Sequence, residues 1–143
     1  MKIKNQSHYS DCFLRRLVCW VKQQLKLSNR AVAGVTFFRR KGYRTNGWAV
    51  AWSKWAVVRI PMRERPRDKR MYRLQYTRGK ESVYLKDNLA CLVFVLAHEL
   101  SHLLDYSLGI NYSGRVPIRE TQCDRRAKSV VDQFEKQRKL LAV

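Results

Sequence analysis

The sequence predicts an α+β fold in which a small, mainly antiparallel, twisted sheet of three to five strands packs on three helices, within a single domain covering residues 1–143. Three observations predict it. Apolar residues recur at helical spacing near the amino terminus and again in two segments of the carboxyl-terminal half. Short β-branched and aromatic runs, separated by turn residues, occupy the middle of the chain. The order is therefore helix, small sheet, helix, helix.

The amino-terminal half opens with a helix that we predict over residues 10–26. Ser10 and Asp11 can cap its start, and apolar residues follow at intervals of three or four. The run over 32–39 is β-branched and aromatic, and it is closed by turn residues over 41–47. We interpret this run as the first strand of a hairpin.

The middle of the chain is expected to be extended. Large residues alternate with small ones over 48–52, and a second extended run over 55–60 stops at a proline. The stretch 62–70 is dense in charge and has no apolar period, which is typical of an exposed loop. Residues 71–77 and 82–85 can add further strand pairing.

The carboxyl-terminal half predicts two helices. Asp87 or Asn88 caps a long leucine- and valine-rich run at helical spacing, which ends at Gly109, a residue typical of helix termination. After a loop containing glycine and proline, residues 118–140 form a last helix.

The pentapeptide from His98 to His102 lies within the first of these two helices and has the pattern H-E-x-x-H. Helical spacing places the two imidazoles one turn apart on one face, where both can bind a single zinc ion, with Glu99 beside the metal as a proton acceptor. A chance occurrence would leave three polar groups among apolar neighbours without partners, at a cost of roughly 1–3 kcal/mol each. The pattern therefore predicts a zinc-dependent hydrolase.

A catalytic zinc needs a third protein ligand, and no histidine follows His102, so this ligand should be acidic. The candidates downstream are Asp105, Glu120 and Asp124, with Cys123 as a further alternative that we interpret as a core residue. Asp105 lies almost two helical turns from the first histidine, so we expect it to support a ligand instead of binding zinc. Glu120 and Asp124 are spaced i, i+4, so one can bind zinc while the other accepts the free N–H of a ligating histidine.

Two motifs together resemble a known family. His98-Glu99-x-x-His102, followed by Glu120-x-x-Cys123-Asp124-x-x-Ala127, is similar to the gluzincin branch of zinc metallopeptidases. The small intracellular metallopeptidases associated with phages and mobile elements are the most similar members, and they show E-x-x-A-[ND]-x-x-A at the second motif. Cys123 here replaces the first alanine. The resemblance covers roughly residues 87–135.

The resemblance implies a minimal zincin-like fold and one bound Zn²⁺. It implies that the metal ligands are His98, His102 and Glu120, that Glu99 is the catalytic carboxylate, and that Asp124 supports a ligand. It also implies that an edge strand, for which 55–60 is the candidate, receives an extended peptide beside the active-site helix.

The function predicted from these motifs is that of a zinc metalloendopeptidase. Zinc lowers the pKa of its water towards about 7 and polarises the scissile carbonyl, and Glu99 acts as the general base. A positioned donor normally stabilises the developing oxyanion. Tyr112 and Arg115, between the two ligand helices, are the candidates, and Tyr106 and His8 stay open as alternatives.

The formal net charge of +19 favours acidic partners. Nine of the 22 residues over 59–80 are Lys or Arg, and a second basic group occupies 39–44. We therefore expect a protein or peptide substrate of acidic character and consider nucleic acid a candidate partner of the basic patch. The alternative function is a basic nucleic-acid-binding or regulatory protein in which the zinc site is structural or inactive.

The amino terminus predicts no secretory signal, because basic residues interrupt its apolar positions. No C-x-x-C pair occurs among the four cysteines, which we interpret as buried thiols of a reducing compartment. No uninterrupted apolar run reaches roughly 18 residues. We therefore expect a cytoplasmic protein without membrane contact.

Overall fold

A computed structural model describes residues 1–110 and 116–141, and it has the predicted α+β class. Among these residues it contains three helices, a four-stranded mixed sheet and a separate two-stranded sheet. Two of the residues proposed from the sequence as oxyanion stabilisers, Tyr112 and Arg115, lie outside the described residues.

The four-stranded sheet is built from strands that lie far apart along the chain. The strands are β1 (Lys2–Gln6), β2 (Gly34–Arg40), β3 (Asn46–Val50) and β4 (Trp55–Pro61), in the spatial order β1-β2-β4-β3. β1 pairs with β2 and β2 with β4 in parallel, whereas β3 and β4 are antiparallel. The prediction of a mainly antiparallel sheet is therefore wrong for this sheet.

The parallel pairing has a topological cause. The helix α1 (Asp11–Gln24) connects β1 to β2, and such a crossover returns the chain in the same direction. The prediction missed β1 because Ile3 is its only aliphatic residue. The prediction of α1 itself is confirmed, and the Ser10 hydroxyl accepts a hydrogen bond from the Phe13 N–H at 3.1 Å.

The predicted hairpin between the 32–39 run and its following strand is also wrong. β4 inserts between β2 and β3, and the hairpin is instead the β3–β4 pair, which is joined by a short turn over 51–54. Three consecutive residues of β4, Ala56–Val58, are buried, so this strand needs cover on both faces and lies inside the sheet. The edge strands of this sheet are therefore β1 and β3, and the prediction that the 55–60 run is an edge strand is wrong.

The remaining elements agree with the prediction. β5 (Met71–Arg73) and β6 (Ser82–Tyr84) pair antiparallel as a small second sheet. The helix α2 (Asn88–Ser107) begins at an Asp87 cap and ends just before Gly109, whose φ of +72° favours glycine. The helix α3 (Val116–Leu141) completes the fold.

The core lies between the sheet and the helices, with α2 at its centre. α2 packs directly on β3 and β4, and it also contacts α1 and α3. The sheet face towards α2 carries Val35, Phe37, Val58 and Ile60, all buried. α2 is long and apolar enough to cross a membrane, but 67% of its most apolar window is buried within the protein, as in the core helix of a globular fold.

The cysteines divide into two groups. Cys91 and Cys123 are buried, whereas Cys12 and Cys19 on α1 are exposed, so the expectation that all four are buried thiols is wrong for this pair. All four are free thiols. Cys12 and Cys19 lie off the apolar period of Leu14, Leu17 and Val21, which marks the buried side of α1.

An ion pair joins the start of α2 to the last part of α3. Arg138 donates to both Asp87 oxygens, at 2.7 and 3.0 Å, while Asp87 also accepts the Ala90 N–H at 2.9 Å. Burial would raise the pKa of Asp87, but these hydrogen bonds outweigh it and lower the pKa. The stabilisation from Asp87 is therefore present above its unfolded pKa of about 3.9 and is lost as the pH falls through the lower folded value.

Substitutions of Asp87 separate its contribution as a helix cap from its contribution as an ion-pair partner of Arg138. Asp87→Ala should reduce the free energy of unfolding at pH 7 by about 1–2 kcal/mol, because it removes both cap and ion pair. Asp87→Asn should cost less, since the amide still caps the helix, and its stability should fall less steeply below about pH 4. Urea denaturation at several pH values measures both effects, and identical acid sensitivity in Asp87→Asn and the wild type would contradict the assignment.

Candidate metal centre

Two histidines of α2 point towards α3 from the buried middle of the helix. His98 and His102 are one turn apart, with ring centroids 5.0 Å from each other. Both side chains are largely buried, at 11% and 14% exposed. α2 begins at the Asp87 cap and is covered on several sides, so the surrounding fold holds the two rings in place.

Glu120 of α3 faces both rings. Its Oε2 lies 3.0 Å from His98 Nε2 and its Oε1 lies 3.1 Å from His102 Nε2. Ligand atoms of the three residues all lie within 4.8 Å of one another, so this cluster could hold a metal ion. Two imidazole nitrogens and a carboxylate oxygen form a donor set that zinc accepts. Among the candidates considered for the third ligand, Glu120 is the one that the packing of α3 on α2 brings to both Nε2 atoms.

Asp124 lies one turn further along α3 and contacts the other side of the first imidazole. Its Oδ1 is 2.8 Å from His98 Nδ1, and the side chain is fully buried. Its Oδ2 accepts the Gln75 N–H at 2.9 Å and the Tyr72 hydroxyl at 3.3 Å. The carboxylate is thus held from two sides and directs His98 Nε2 towards Glu120.

Sequence reasoning did not identify Tyr72 and Gln75 as parts of this site. They lie about 50 residues before Asp124, in β5 and in the turn that follows it. Burial and the neighbouring Asp124 carboxylate raise the pKa of Tyr72, so its hydroxyl stays protonated and can donate. No local pattern in the sequence indicates this contact.

The two histidines differ in proton affinity. Burial alone would lower the pKa of His98, but hydrogen bonds to Asp124 and Glu120 outweigh it and raise the pKa to about 10. Burial and the neighbouring His98 lower the pKa of His102. The hydrogen bond from His98, opposed by partial burial, lowers the pKa of Glu120, which keeps this carboxylate ionised.

Asp105 lies behind the second histidine, with Cys123 between them. The Cys123 Sγ is 3.6 Å from His102 Nδ1 and 3.9 Å from Asp105 Oδ2. Burial raises the pKa of the Cys123 thiol to about 12, so the sulfur keeps its proton. The Cys123 thiol therefore bridges Asp105 and His102. Its sulfur lies on the Nδ1 side of the His102 ring, away from Nε2.

Asp105 itself forms a buried ion pair. Its side chain is 1% exposed and contacts Arg126 Nη1 at 2.5 Å, while the same nitrogen donates to Ser101 at 2.9 Å. Arg126→Met should lower the free energy of unfolding by about 3 kcal/mol, because it leaves the Asp105 charge buried without its cation. Urea denaturation measures the change.

The neighbouring Arg125 supplies the control for this variant. Its ion pair with Glu81 is exposed, with 59% of the Arg125 side chain accessible to solvent. Arg125→Met removes the same charge from the same helix, and it should leave the unfolding midpoint nearly unchanged. Equal destabilisation by Arg126→Met and Arg125→Met would show that the buried Asp105–Arg126 pair contributes no more to the free energy of unfolding than the exposed Glu81–Arg125 pair.

Glu99 lies beside the cluster, one residue after the first histidine. It is 7% exposed, and burial, reinforced by the charges of Glu120 and Asp124, raises the pKa of its carboxyl to about 7. A carboxyl group with this pKa can both accept and return a proton near neutral pH. A side chain at Gly47 would approach Glu99 Cγ to 3.2 Å and Val57 O to 2.4 Å, so glycine permits this close approach of β3 to α2.

Two cavities meet at this point. One of about 230 Å³ and one of about 350 Å³ are both lined by Gly47, His98 and Glu99. They form an open cleft bounded by β3, α2 and α3, which we call the metal cleft. Arg65 lines the first cavity and Arg119 the second, and sequence reasoning selected neither residue for the site.

The other site residues predicted from the sequence either lie outside the His98–His102–Glu120 cluster or are not among the described residues. His8 contacts Tyr9 with tilted rings whose centroids are 4.2 Å apart, and it is not one of the three residues of the cluster. Tyr106 is 41% exposed near the end of α2. No structural statement applies to Tyr112 and Arg115, so their role stays a prediction.

Comparison with known proteins identifies no relative of this chain. No family model matches the chain, and neither a curated protein nor a solved structure matches it. What the metal cleft can do therefore follows from the chemistry of its own side chains.

Proposed function

We propose that this protein is a gluzincin-like zinc metallopeptidase with a minimal zincin-like fold. One observation carries the proposal: His98, His102 and Glu120 converge within 4.8 Å while Glu99 lies beside them at the junction of two cavities. A cluster that served only to stabilise the fold would need neither an adjoining cleft nor the buried carboxylate of Glu99 beside it.

The donor set favours a catalytic site over a structural one. Structural zinc sites normally have four protein ligands, usually Cys and His, whereas catalytic sites have three and leave a position for water. Three protein ligands and an adjoining cleft match the second case. The Asp124 contact to His98 also matches the carboxylate–histidine support that orients a zinc ligand.

The proposed mechanism assigns a role to each residue. When bound, zinc supplies an acidic water and polarises a carbonyl oxygen. Glu99 accepts the proton of the attacking water and returns it to the departing amine. Asp124 accepts the Nδ1–H of His98, so Nε2, which faces Glu120, keeps the lone pair that a metal would need. Tyr72 and Gln75 hold Asp124 in turn.

The strand that receives the substrate is β3 in this proposal. β3 is an edge strand of the four-stranded sheet, and its residues from Asn46 to Ala49 line the cavities on both sides of Glu99. An extended peptide can pair with its free main-chain groups and place a carbonyl beside the metal cleft. This replaces the 55–60 run, which lies inside the sheet.

The first cavity favours an acidic substrate side chain. Arg65 and Thr45 both line this cavity, so a guanidinium and a hydroxyl group border it. A carboxylate of the substrate would satisfy such donors. We therefore propose peptides with an Asp or Glu next to the scissile bond as the substrate class.

The proposal is tested by metal content and by the products of cleavage. Purified protein should contain one zinc per chain by elemental analysis, and an unfractionated proteome incubated with it should acquire new termini that mass spectrometry can identify. Those termini should be absent with Glu99→Gln and with a chelator, and acidic residues should be enriched beside the cut. Absence of stoichiometric metal, or new termini that persist with Glu99→Gln, would refute it.

A further inference from the structure

The four-stranded sheet has a second face, which is turned away from α2 and which we call the outer face. Residues in register on neighbouring strands share a face, so Lys4 lies on the side of Val57 and Arg59, opposite the buried Val58. The side chains on the outer face that matter here are three cations and three aromatic rings. They are Lys2, Lys4, Arg59, Phe38, Trp48 and Trp55.

The aromatic rings of this face lie along the sheet surface. The Trp55 indole donates to Thr36 Oγ1 at 2.8 Å, and its ring occupies the space that a side chain at Gly34 would need, 2.5 Å from the missing Cβ. Glycine at position 34 therefore lets the indole lie across β2. Trp48 on β3 is 41% exposed and diagonal to Trp55, a separation of about 7–8 Å between such positions.

Cations accompany these rings. Lys4 Nζ lies 5.2 Å from the centroid of the Trp55 ring, and the Arg59 guanidinium lies 4.9 Å from that of Trp48. Lys2, Lys4 and Arg59 are exposed. Each indole is thus paired with a positive charge that solvent can reach.

Acidic residues are absent from this region of the sequence. No Asp or Glu occurs from Cys12 to Arg63, a stretch that contains β2, β3 and β4, and β1 has none either. Of the nearest acids along the chain, Asp11 accepts a hydrogen bond from Asn5 at 2.7 Å, and Asn5 is in register with Phe37 and Val58 on the opposite face of the sheet. Glu64 contributes to the raised pKa of Tyr9, which packs against the core. Among the described residues, no carboxylate forms an ion pair with Lys2, Lys4 or Arg59, so the outer face combines stacking surfaces with exposed positive charge.

We propose that the outer face binds single-stranded nucleic acid, with Trp48 and Trp55 stacking on bases and Lys2, Lys4 and Arg59 contacting phosphates. Alternating aromatic and cationic groups on a flat surface suit a strand whose bases are unpaired, because every base offers a face for stacking. A duplex hides those faces and would use the cations alone. This activity goes beyond peptide hydrolysis and does not depend on it.

The metal cleft adjoins the proposed surface. Trp48 contributes to the outer face and also lines the second cavity, together with Glu99 and Glu120. A strand bound on the outer face would therefore lie next to the cleft across the width of β3. A protein held on that strand would be presented to the same edge of the sheet.

Fluorescence anisotropy with a labelled 20-nucleotide oligo-dT, and with a duplex of the same length, tests the proposal. The single strand should bind at least tenfold more tightly than the duplex, and affinity should fall with salt. The double variant Lys4→Ala/Arg59→Ala should bind at least tenfold more weakly, with a salt slope reduced by about 1.4. Trp48→Ala should weaken binding roughly tenfold, while Trp48→Phe should restore most of it.

A charge-matched control uses two exposed lysines outside the four-stranded sheet, in the β5–β6 turn and on α3. Lys80→Ala/Lys136→Ala removes the same charge and should change affinity less than threefold. Thermal melting checks that all variants fold, and Lys2→Gln/Lys4→Gln on the edge strand replaces the first pair if Arg59→Ala unfolds the sheet. Tighter binding of the duplex, equal losses in the test and control pairs, or full competition by polyglutamate would overturn the proposal.

Glu99→Gln distinguishes this proposal from the peptidase. The substitution lies on α2, behind the sheet, and should leave the affinity for oligo-dT within twofold of the wild type. If Glu99→Gln is inactive but still binds oligo-dT, the result supports binding on the outer face. This conclusion holds whether or not the proposed peptidase activity is confirmed. Loss of binding in Glu99→Gln would place the nucleic acid in the metal cleft and overturn the assignment to the outer face.

Discussion

Glu99→Gln should keep its zinc and lose peptide hydrolysis by a factor of about 10²–10⁴. Among the described residues, the Glu99 carboxylate lies beside the cluster and has a pKa of about 7, which suits the transfer of a proton near neutral pH. The amide has nearly the same shape and cannot accept that proton. Glu99 is not one of the three clustered residues, so their donor atoms are unaffected.

Two measurements on one preparation test this expectation. Elemental analysis gives metal per chain, and turnover of a peptide taken from the cleavage products gives the rate. Arg65→Met, at the far wall of the first cavity, is the comparison: it should raise KM for peptides with an acidic residue and leave kcat within a few-fold. If Glu99→Gln kept its full rate, another group would have to be the base.

Glu120→Ala should lose zinc, with affinity lowered by 100-fold or more. Its two oxygens face both imidazole Nε2 atoms, at 3.0 and 3.1 Å, so no other described carboxylate replaces it without moving a helix. Removal leaves two nitrogen donors, which is one fewer than a catalytic site uses. Activity should disappear with the metal.

Competition with a chromophoric chelator measures the affinity. Asp132→Ala, an exposed carboxylate on the same helix, controls for the loss of one negative charge and should bind zinc like the wild type. Asp124→Asn should fall between the two, about 10–100-fold weaker, because it supports a ligand without contacting the metal. Full occupancy in Glu120→Ala would contradict the ligand assignment and would direct attention to Asp124 or Asp105.

The helices were predictable because their signals are local. Ser10 and Asp87 cap α1 and α2, and apolar residues at intervals of three and four mark the buried side of each. Gly109 marks the end of α2 for a similarly local reason, a positive φ. Such features depend on residues within one or two turns, so they can be recognised without knowledge of the fold.

The sheet was less predictable because pairing joins distant residues. β1 lacks an apolar pattern, and its place beside β2 follows from the crossover through α1. The order of β3 and β4 depends on which strand must be covered on both sides, a property that short alternating runs express weakly. The predicted hairpin and edge strand failed for this reason.

The sequence by itself determined the H-E-x-x-H pair of imidazoles, because residues four apart on a helix share a face whatever surrounds them. It also limited the candidates for the proposed third metal ligand to a few residues, most of them carboxylates. Only the tertiary structure decided that Glu120 meets both Nε2 atoms, that Asp124 supports His98 with Tyr72 and Gln75, and that β3 borders the cleft. Those contacts depend on how α3, β3 and β5 pack on α2, and packing between separate elements leaves no periodic trace in the chain.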